Sequence, residues 1–248
     1  MPLVIAHRGA SAEQPEHTAA SYQTALAVGA DGIECDVRLS RDRHLVCIHD
    51  GRVDRTSNGH GWVSAMHRDT LDTFDWGPGE TGVLTLERLL DIALASTRPL
   101  RLLIEVKHPV RPAGAVEREL AAVLTRSGLI GQARPGGLQV MVMSFSAAAL
   151  RRMGALSPAL PLVHLVDRRP SGRRRTGRLP DGVDTVGLDV RLIAREPAIV
   201  ARYRDRGHHV FAWTVNDPGQ VDVCVRAGVE ALITDDPRAV LGQLHRLD

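Results

Sequence analysis

The chain of 248 residues has little of several features that would place it in a specialised class of protein. Its three cysteines, Cys35, Cys47 and Cys224, are too few for the disulfide framework of a small secreted domain. No apolar run approaches the roughly 20 residues that span a bilayer. The amino terminus lacks a basic segment followed by an apolar one, so we expect no signal peptide and a cytoplasmic protein.

An excess of charge of one sign is also lacking, because 31 Lys and Arg residues face 29 Asp and Glu residues. The formal net charge of +2 gives no electrostatic argument for binding nucleic acid or an acidic membrane surface. Aromatic residues make up only 3% of the chain, so the core must be built from Ala, Val, Leu and Ile. Lys107 is the only lysine among the 31 basic residues, which marks it as a position where arginine would not serve.

The chain does contain a regular alternation of short apolar runs and helical stretches. Nearly continuous apolar runs indicate strands that are buried on both faces. The predicted strands are Leu3–Ala6, Gly32–Arg38, Leu45–His49, Leu100–Val106, Leu138–Met143, Leu160–Leu165, Thr185–Leu188, His209–Thr214 and Ala231–Thr234. The predicted helices are Thr18–Val28, Thr85–Ser96, Ala113–Ser127, Ser146–Ala155, Glu196–Arg206, Pro218–Ala227 and Asp236–Leu244.

Alternation of strands and helices over a chain of this length is typical of a parallel α/β architecture, and about 250 residues is the usual length of an eight-stranded barrel. We therefore predict a (β/α)8 TIM-type barrel that forms a single domain over residues 1–248. A doubly wound open sheet is the competing architecture. The first strand is not followed by GxGxxG and the chain has no Walker A sequence, which disfavours the nucleotide-binding versions of that sheet.

Two stretches interrupt the alternation. Only about six residues separate the second and third predicted strands, too few for a parallel crossover. We expect an antiparallel hairpin that turns near Arg41-Asp42-Arg43 and brings His49 roughly opposite Glu34. Residues from about 51 to 83, after the strand that ends at His49, are predicted to form a small insertion, and such a long loop in a compact domain is usually functional.

The polar residues at the ends of the strands are the candidates for a functional site, because an α/β barrel carries its site at the carboxyl ends of its strands. Glu34 and Asp36 are two residues apart, so they share one face of a strand. In the barrel interior these carboxylates would repel each other unless a cation neutralised them, and oxygen ligands suit Ca²⁺ or Mg²⁺. Glu105, at another strand end, adds a third carboxylate. In the competing interpretation both carboxylates face solvent and the apolar Ile33 and Val37 point inward.

His7 and His49 each directly follow an apolar strand. One such histidine is more often structural, but two beside candidate metal ligands favour acid and base catalysis near neutral pH. Arg8 offers a planar fork of donors for phosphate oxygens, and Lys107 places a compact positive charge beside Glu105. This set predicts phosphoryl chemistry, in which a cation polarises the phosphoryl oxygen and positive side chains stabilise the transition state. One histidine would activate the nucleophile and the other would protonate the leaving alkoxide.

The same residues lie in motifs that follow one another along the whole chain. These are His7-Arg8-Gly9, Pro15-Glu16-His17-Thr18, the segment Ala30–Val37, His49-Asp50, the segment Asp54–Gly59, Ile104-Glu105-Val106-Lys107, Trp213-Thr214-Val215-Asn216 and the segment Gly228–Pro237. In this order and at these spacings the motifs resemble those of glycerophosphodiester phosphodiesterases. No single motif is decisive, but the ordered set is highly specific.

The resemblance implies a (β/α)8 barrel with a small insertion after the strand that bears His49. It implies metal-dependent hydrolysis of glycerophosphodiesters to an alcohol and sn-glycerol 3-phosphate, and hence a role in lipid and glycerol metabolism. By position it implies Glu34, Asp36 and Glu105 as ligands of Ca²⁺ or Mg²⁺, with His7 and His49 as the acid and base.

The resemblance also implies which side chains contact the substrate. Arg8 and Lys107 would contact the phosphate, and Trp213 would pack on the glycerol side, with Phe145 a weaker candidate for the same wall. Glu16 would orient His7 or complete the surroundings of the metal.

This chain departs from the family pattern at two places. It has His17 where the family usually has asparagine, and Cys35 where an aliphatic residue is more common. Because neither is a catalytic position in the family, we expect both to affect only local detail, with Cys35 a small buried hydrophobic residue.

Other functions compete with hydrolysis of small glycerophosphodiesters. A lysophospholipase D or a cyclising, sphingomyelinase-type reaction would use the same residues on lipid, and would require an apolar rim. A non-catalytic phosphodiester-binding barrel would have lost one histidine, and a barrel aldolase would use Lys107 as a Schiff-base lysine without a metal. The oligomeric state stays open, a homodimer included.

Overall fold

The computed structural model describes residues 1–108, 112–130, 137–167 and 176–246. Its strands are β1 (Leu3–His7), β2 (Gly32–Leu39), β3 (Leu45–Cys47), β4 (Leu100–Val106), β5 (Leu138–Ser144), β6 (Leu162–Val166), β7 (Thr185–Asp189), β8 (His209–Trp213) and β9 (Ala231–Thr234). Its helices are α1 (Ala19–Ala27), α2 (Arg68–Leu71), α3 (Leu86–Leu94), α4 (Ala115–Arg126), α5 (Ala147–Leu156), α6 (Val190–Arg195), α7 (Ala198–Arg204), α8 (Pro218–Ala227) and α9 (Pro237–Leu244). Each predicted strand and helix is present within a few residues of its predicted bounds.

Eight parallel strands of the described chain form a closed barrel. Their order around the barrel is β1, β9, β8, β7, β6, β5, β4 and β2, and the pairing of β1 with β2 closes it. Helices lie between successive barrel strands except in the connection from β6 to β7, where the described residues contain no helix. The predicted TIM-type barrel is confirmed and the open sheet is excluded. None of the helices in the described ranges is long and apolar enough to cross a membrane.

The remaining strand, β3, forms the expected hairpin with β2. The antiparallel ladder pairs Val37 with Cys47 and Leu39 with Leu45, which centres the turn on residue 42 as predicted. However, β3 ends at Cys47 rather than at His49, because after the bond from the Ile48 N–H to the Asp36 carbonyl the chain leaves the ladder. The expected pairing of His49 with Glu34 is therefore wrong, and His49 lies on the segment that follows the strand.

Three short helices were not predicted. The helix α6 begins directly after β7, with Asp189 as its N-cap, so no polar turn separates strand from helix. Between β3 and α3 lie a 3-10 turn at Val63–Ala65 and the four-residue helix α2. This segment builds a small apolar cluster with the end of the hairpin, made of Val46, Ile48, Val53, Val63, Leu71, Trp76 and Val83.

The barrel interior is apolar toward the amino ends of the strands and polar at their carboxyl ends. Apolar side chains from β1, β4, β5, β6, β8 and β9 fill the interior, among them Ile5, Leu103, Phe211 and Ile233. Because side chains on one face of a strand recur every two residues, the next inward position after each of these is polar or aromatic. Those positions are His7, Glu105, Trp213 and Asp235.

Candidate active site

Three buried carboxylates lie together at the carboxyl end of the barrel. Glu34 and Asp36 are on β2, Glu105 is on β4, and the strand register pairs Asp36 with Glu105. One carboxylate oxygen of each lies within 4.8 Å of the others, and all three side chains are buried. Glu34 Oε2 accepts a bond from the Arg8 backbone N–H at 3.1 Å, whereas Glu34 Oε1 is buried without a hydrogen-bond partner among the described residues. An orphaned buried oxygen in an all-oxygen cluster fits a hard divalent cation.

The three carboxyl groups differ in their affinity for a proton. Burial, with the charges of Asp36 and Glu105, raises the pKa of Glu34 well above its usual range. Burial and the neighbouring Asp36 also raise the pKa of Glu105, to about 7. Burial opposes the charge on Asp36 as well, but a hydrogen bond from His17 and the charge of Lys107 outweigh it, and the pKa of Asp36 lies well below its usual range. Asp36 is thus the member of the cluster with the lowest affinity for a proton.

Two cations border the cluster. Lys107 Nζ lies 2.8 Å from Asp36 Oδ1 and 2.8 Å from Glu105 Oε1. Arg8 Nε lies 3.2 Å from Asp36 Oδ2. Lys107 therefore lies beside Glu105, as expected. The compact ammonium group contacts two carboxylates at once, which suits lysine better than the planar guanidinium of arginine.

His7 and His49 each have a carboxylate behind the imidazole ring. His7 Nδ1 lies 2.6 Å from Asp235 Oδ1, and His49 Nδ1 lies 2.7 Å from Asp50 Oδ1. With Nδ1 held in this way, Nε2 of each ring is the nitrogen that can exchange a proton with a substrate. Burial and the charge of Lys107 lower the pKa of His49.

Aromatic side chains form a wall across the mouth of the barrel. Trp213, at the end of β8, and Phe145, just after β5, meet edge to face with ring centroids 5.4 Å apart. The Trp213 indole N–H donates to the Gly187 carbonyl at 2.9 Å, which fixes the ring. The structure thus brings together the two residues that the sequence predicted for one wall.

Comparisons with known proteins identify the family of the chain. A model of the glycerophosphoryl diester phosphodiesterase family matches residues 7–239. The chain belongs to this family. A probable glycerophosphodiester phosphodiesterase 1 of Mycobacterium tuberculosis is 41% identical over an alignment of 247 positions, which covers 95% of this chain and 90% of the relative. A glycerophosphodiester phosphodiesterase of Bacillus subtilis is 32% identical and covers 95% of this chain and 84% of its own.

A solved structure supports the fold assignment. An Oleispira antarctica phosphodiesterase, in complex with the product sn-glycerol-3-phosphate, superimposes with a TM-score of 0.87 at 25% identity, over 99% of this chain and 97% of that chain. The chain of 248 residues is therefore a glycerophosphodiester phosphodiesterase, which is a hydrolase.

Glu16 contacts Arg8 and Arg55, and its alternative expected role, completing the surroundings of the metal, stays a prediction. Its carboxylate accepts bonds from Arg8 Nη1 at 3.1 Å and from Arg55 Nη1 and Nη2 at 2.7 and 2.8 Å. None of its hydrogen bonds in the described part of the chain goes to His7. Burial opposes its charge, but the bonds from Arg55 and the charge of Arg8 lower the pKa of Glu16 to about 2. Glu16 therefore links the two arginines.

Two further contacts were not predicted. The first is Asp235, which directly follows a predicted strand, and its place two residues after the inward-facing Ile233 is the signal that it points at His7. The second is His17, expected to be a matter of loop detail. Its side chain is buried, with Nε2 3.0 Å from Asp36 Oδ2 and Nδ1 2.8 Å from the Tyr22 hydroxyl. That expectation is corrected: His17 holds a carboxylate of the cluster.

Proposed function

We propose that the protein catalyses metal-dependent hydrolysis of glycerophosphodiesters to an alcohol and sn-glycerol 3-phosphate, with His7 and His49 as acid and base. The observation that carries the proposal is the buried cluster of Glu34, Asp36 and Glu105. His7 pairs with Glu34 on the adjacent strand, and His49 lies close enough to Asp36 to feel its charge. The Oleispira relative holds sn-glycerol-3-phosphate, which supports the same product here.

Glu34, Asp36 and Glu105 would hold a divalent cation, for which Ca²⁺ and Mg²⁺ fit equally well by ligand type. When bound, the cation polarises a phosphoryl oxygen. Arg8 and Lys107 bind the other phosphoryl oxygens and stabilise the charge that develops in the transition state.

The two histidines move the protons. One accepts a proton from the attacking water as its oxygen forms a bond to phosphorus, and the other donates a proton to the head-group oxygen as its bond to phosphorus breaks. Asp235 and Asp50 keep the two rings oriented throughout. On the glycerol side the substrate packs against Trp213.

Hydrolysis of a small substrate fits better than the alternatives. Among the described residues near the barrel mouth, the exposed large apolar side chains are Trp62 and Phe145, which make no continuous apolar rim for a lipid. Both histidines and all three carboxylates are present, which disfavours a non-catalytic barrel. Lys107 lies between the carboxylates of Asp36 and Glu105. Burial opposes the positive charge, but the two carboxylates raise the pKa of Lys107 above its usual value. A raised pKa disfavours a Schiff-base lysine, which must be neutral to attack a carbonyl group.

The test is release of glycerol 3-phosphate from glycerophosphocholine and glycerophosphoethanolamine, with and without EDTA. We expect release that EDTA abolishes and that added Mg²⁺ or Ca²⁺ restores. His49→Ala should lower kcat by roughly a hundredfold to ten-thousandfold, the usual contribution of general acid–base catalysis. His60→Ala, with a side chain 83% exposed, is the matched control and should behave like the wild type. Full activity in EDTA would contradict the metal, and an active His49→Ala enzyme would contradict the acid–base role.

A further inference from the structure

A separate cavity of about 320 Å³ opens at the rim of the barrel, and we call it the rim pocket. It lies between the β2–β3 turn, the insertion and the residues Pro112 and Ala115 at the start of α4. The residues that matter for its chemistry are Arg38, Arg41, Arg43, Gly51 and Trp62.

The rim pocket begins where the carboxylate cluster ends. Arg38 follows Asp36 by two residues on β2, so it occupies the next inward position, about 7 Å further toward the rim. Its guanidinium donates from Nε and Nη2 to the His49 carbonyl at 2.9 and 2.7 Å. Gly51, another lining residue, follows His49 by two residues. One wall of the rim pocket is thus continuous with the segment that carries a proposed acid–base residue.

The rim pocket also lies on the correct side of the barrel to receive one end of a diester. Around the barrel, β2 is separated from β8 by β1 and β9, and from β5 by β4. The wall of Trp213 and Phe145 therefore stands on strands three and two positions away from β2 around the barrel mouth. A phosphodiester centred on the carboxylate cluster, with its glycerol against Trp213, would extend its other alcohol toward Arg38.

The lining of the rim pocket is positively charged. It contains three arginines, and none of its described lining residues is acidic. The Arg41 side chain makes no hydrogen bond or ion pair with any described residue, and Arg43 makes one distant contact, 3.5 Å from Nη2 to Glu119 Oε2. The Trp62 ring is exposed and carries the Arg52 guanidinium 5.5 Å from its centroid. Such a surface attracts an anion and repels a quaternary ammonium.

We propose that the rim pocket binds the leaving alcohol and selects an alcohol that carries a carboxylate or a second phosphate. Arg41 and Arg43 supply the charge that recognises this anion, and Trp62 supplies a flat wall for its carbon atoms. This inference rests on the proposed function, since it concerns the second product of the same reaction.

Glycerophosphoserine and glycerophosphoethanolamine test the proposal, because they differ only by one carboxylate. We expect kcat/KM for release of glycerol 3-phosphate to favour glycerophosphoserine by on the order of tenfold, as one charge-assisted hydrogen bond would provide. In the double variant Arg41→Gln/Arg43→Gln the ratio of the two kcat/KM values should fall to near unity. Arg226→Gln, an exposed arginine on α8, is the matched control and should keep the wild-type ratio.

Each outcome decides the matter. Equal kcat/KM values for the two substrates in the wild type would overturn the rim pocket as an anion subsite while leaving the proposed function intact. A preference for glycerophosphoserine that persists in the double variant would also overturn it, since the carboxylate would then be recognised elsewhere. Release from neither substrate would contradict the proposed function, and with it the subsite.

Discussion

Asp235 and Asp50 show how single carboxylates prepare the two histidines for catalysis. Burial opposes the charge on Asp235, but the bonds from His7, Asn216 and Ser11 lower its pKa to about 2. Asp235 is therefore ionised at neutral pH and accepts the His7 Nδ1–H. This fixes the tautomer in which His7 Nε2 is free to take a proton.

Replacing Asp235 by asparagine should disturb this tautomer without removing a substrate contact. An amide can donate to Nδ1, which would place the proton on the wrong ring nitrogen. We expect Asp235→Asn to lower kcat by roughly a hundredfold or more, with little change in KM and an altered pH profile of kcat. Steady-state kinetics from pH 5 to 9 are the measurement. Asp205→Asn, at an exposed carboxylate after α7, is the control, and a proportional rise in KM instead would argue against a positioning role.

At the scale of elements, β2 carries two of the three proposed metal ligands. Successive inward positions of β2 are Glu34 and Asp36, which are proposed metal ligands, and Arg38, which lines the rim pocket.

Away from the site, Glu117 links α4 to α5. Its side chain is fully buried, and Arg152 donates to its Oε1 from Nε at 2.9 Å and from Nη2 at 2.6 Å.

The Glu117 contact should make the fold sensitive to acid. Burial opposes the charge, but His108, whose Nε2 lies 3.5 Å from Oε1, and the bonds from Arg152 lower the pKa of Glu117 to about 2. Because this folded-state pKa is below the unfolded value of about 4.3, the stabilisation is complete above that value and is lost as the pH falls toward 2. We expect Glu117→Gln to lower the free energy of unfolding at pH 7 by about 2 kcal/mol, as for a hydrogen-bonded charge.

Urea unfolding of both proteins between pH 7 and pH 3 checks this expectation, and the difference should shrink as the pH falls. Glu119→Gln is the matched control on the same helix. Its ion pairs, 3.5 Å to Arg43 and 3.9 Å to Arg126, are long and should contribute at most about 0.5 kcal/mol. A difference for Glu117→Gln that is independent of pH would contradict the assignment of its charge.

For the whole molecule, the architecture follows from local pattern because each barrel strand is a short apolar run. The sequence pattern does not predict a helix that follows a strand without an intervening turn, or a helix that is too short to show a hydrophobic period. The helix α6 starts on Asp189 while β7 is still ending, and α2 is a single turn. The site ligands could be predicted because spacing of two places Glu34 and Asp36 on one face. His17 could not, because its contact with Asp36 depends on a loop that folds back over the strand end.

The carboxylate cluster should also affect the stability of the whole molecule. Burial and mutual repulsion raise the pKa values of Glu34 and Glu105, so a cation that binds the cluster competes with protons. We expect saturating Mg²⁺ or Ca²⁺ to raise Tm by about 5 to 10 °C, and by more at pH 8 than at pH 6. Thermal unfolding at both pH values with and without EDTA is the measurement. Glu34→Gln should lose most of the shift, whereas Glu87→Gln on α3 should keep it. Equal shifts at both pH values would contradict proton displacement.

The scarcity of lysine gives the barrel a built-in reporter of its own opening. A lysine-specific protease has one peptide bond to attack, the bond between Lys107 and His108, and the Lys107 side chain is only 10% exposed in the ion pairs at the barrel mouth. Cleavage there requires the carboxyl end of β4 to leave the barrel, so each cut molecule has passed through an opened state. The rate at which the full-length chain disappears into two fragments therefore measures how often the catalytic end of the barrel opens, and a ligand that closes this end should slow it.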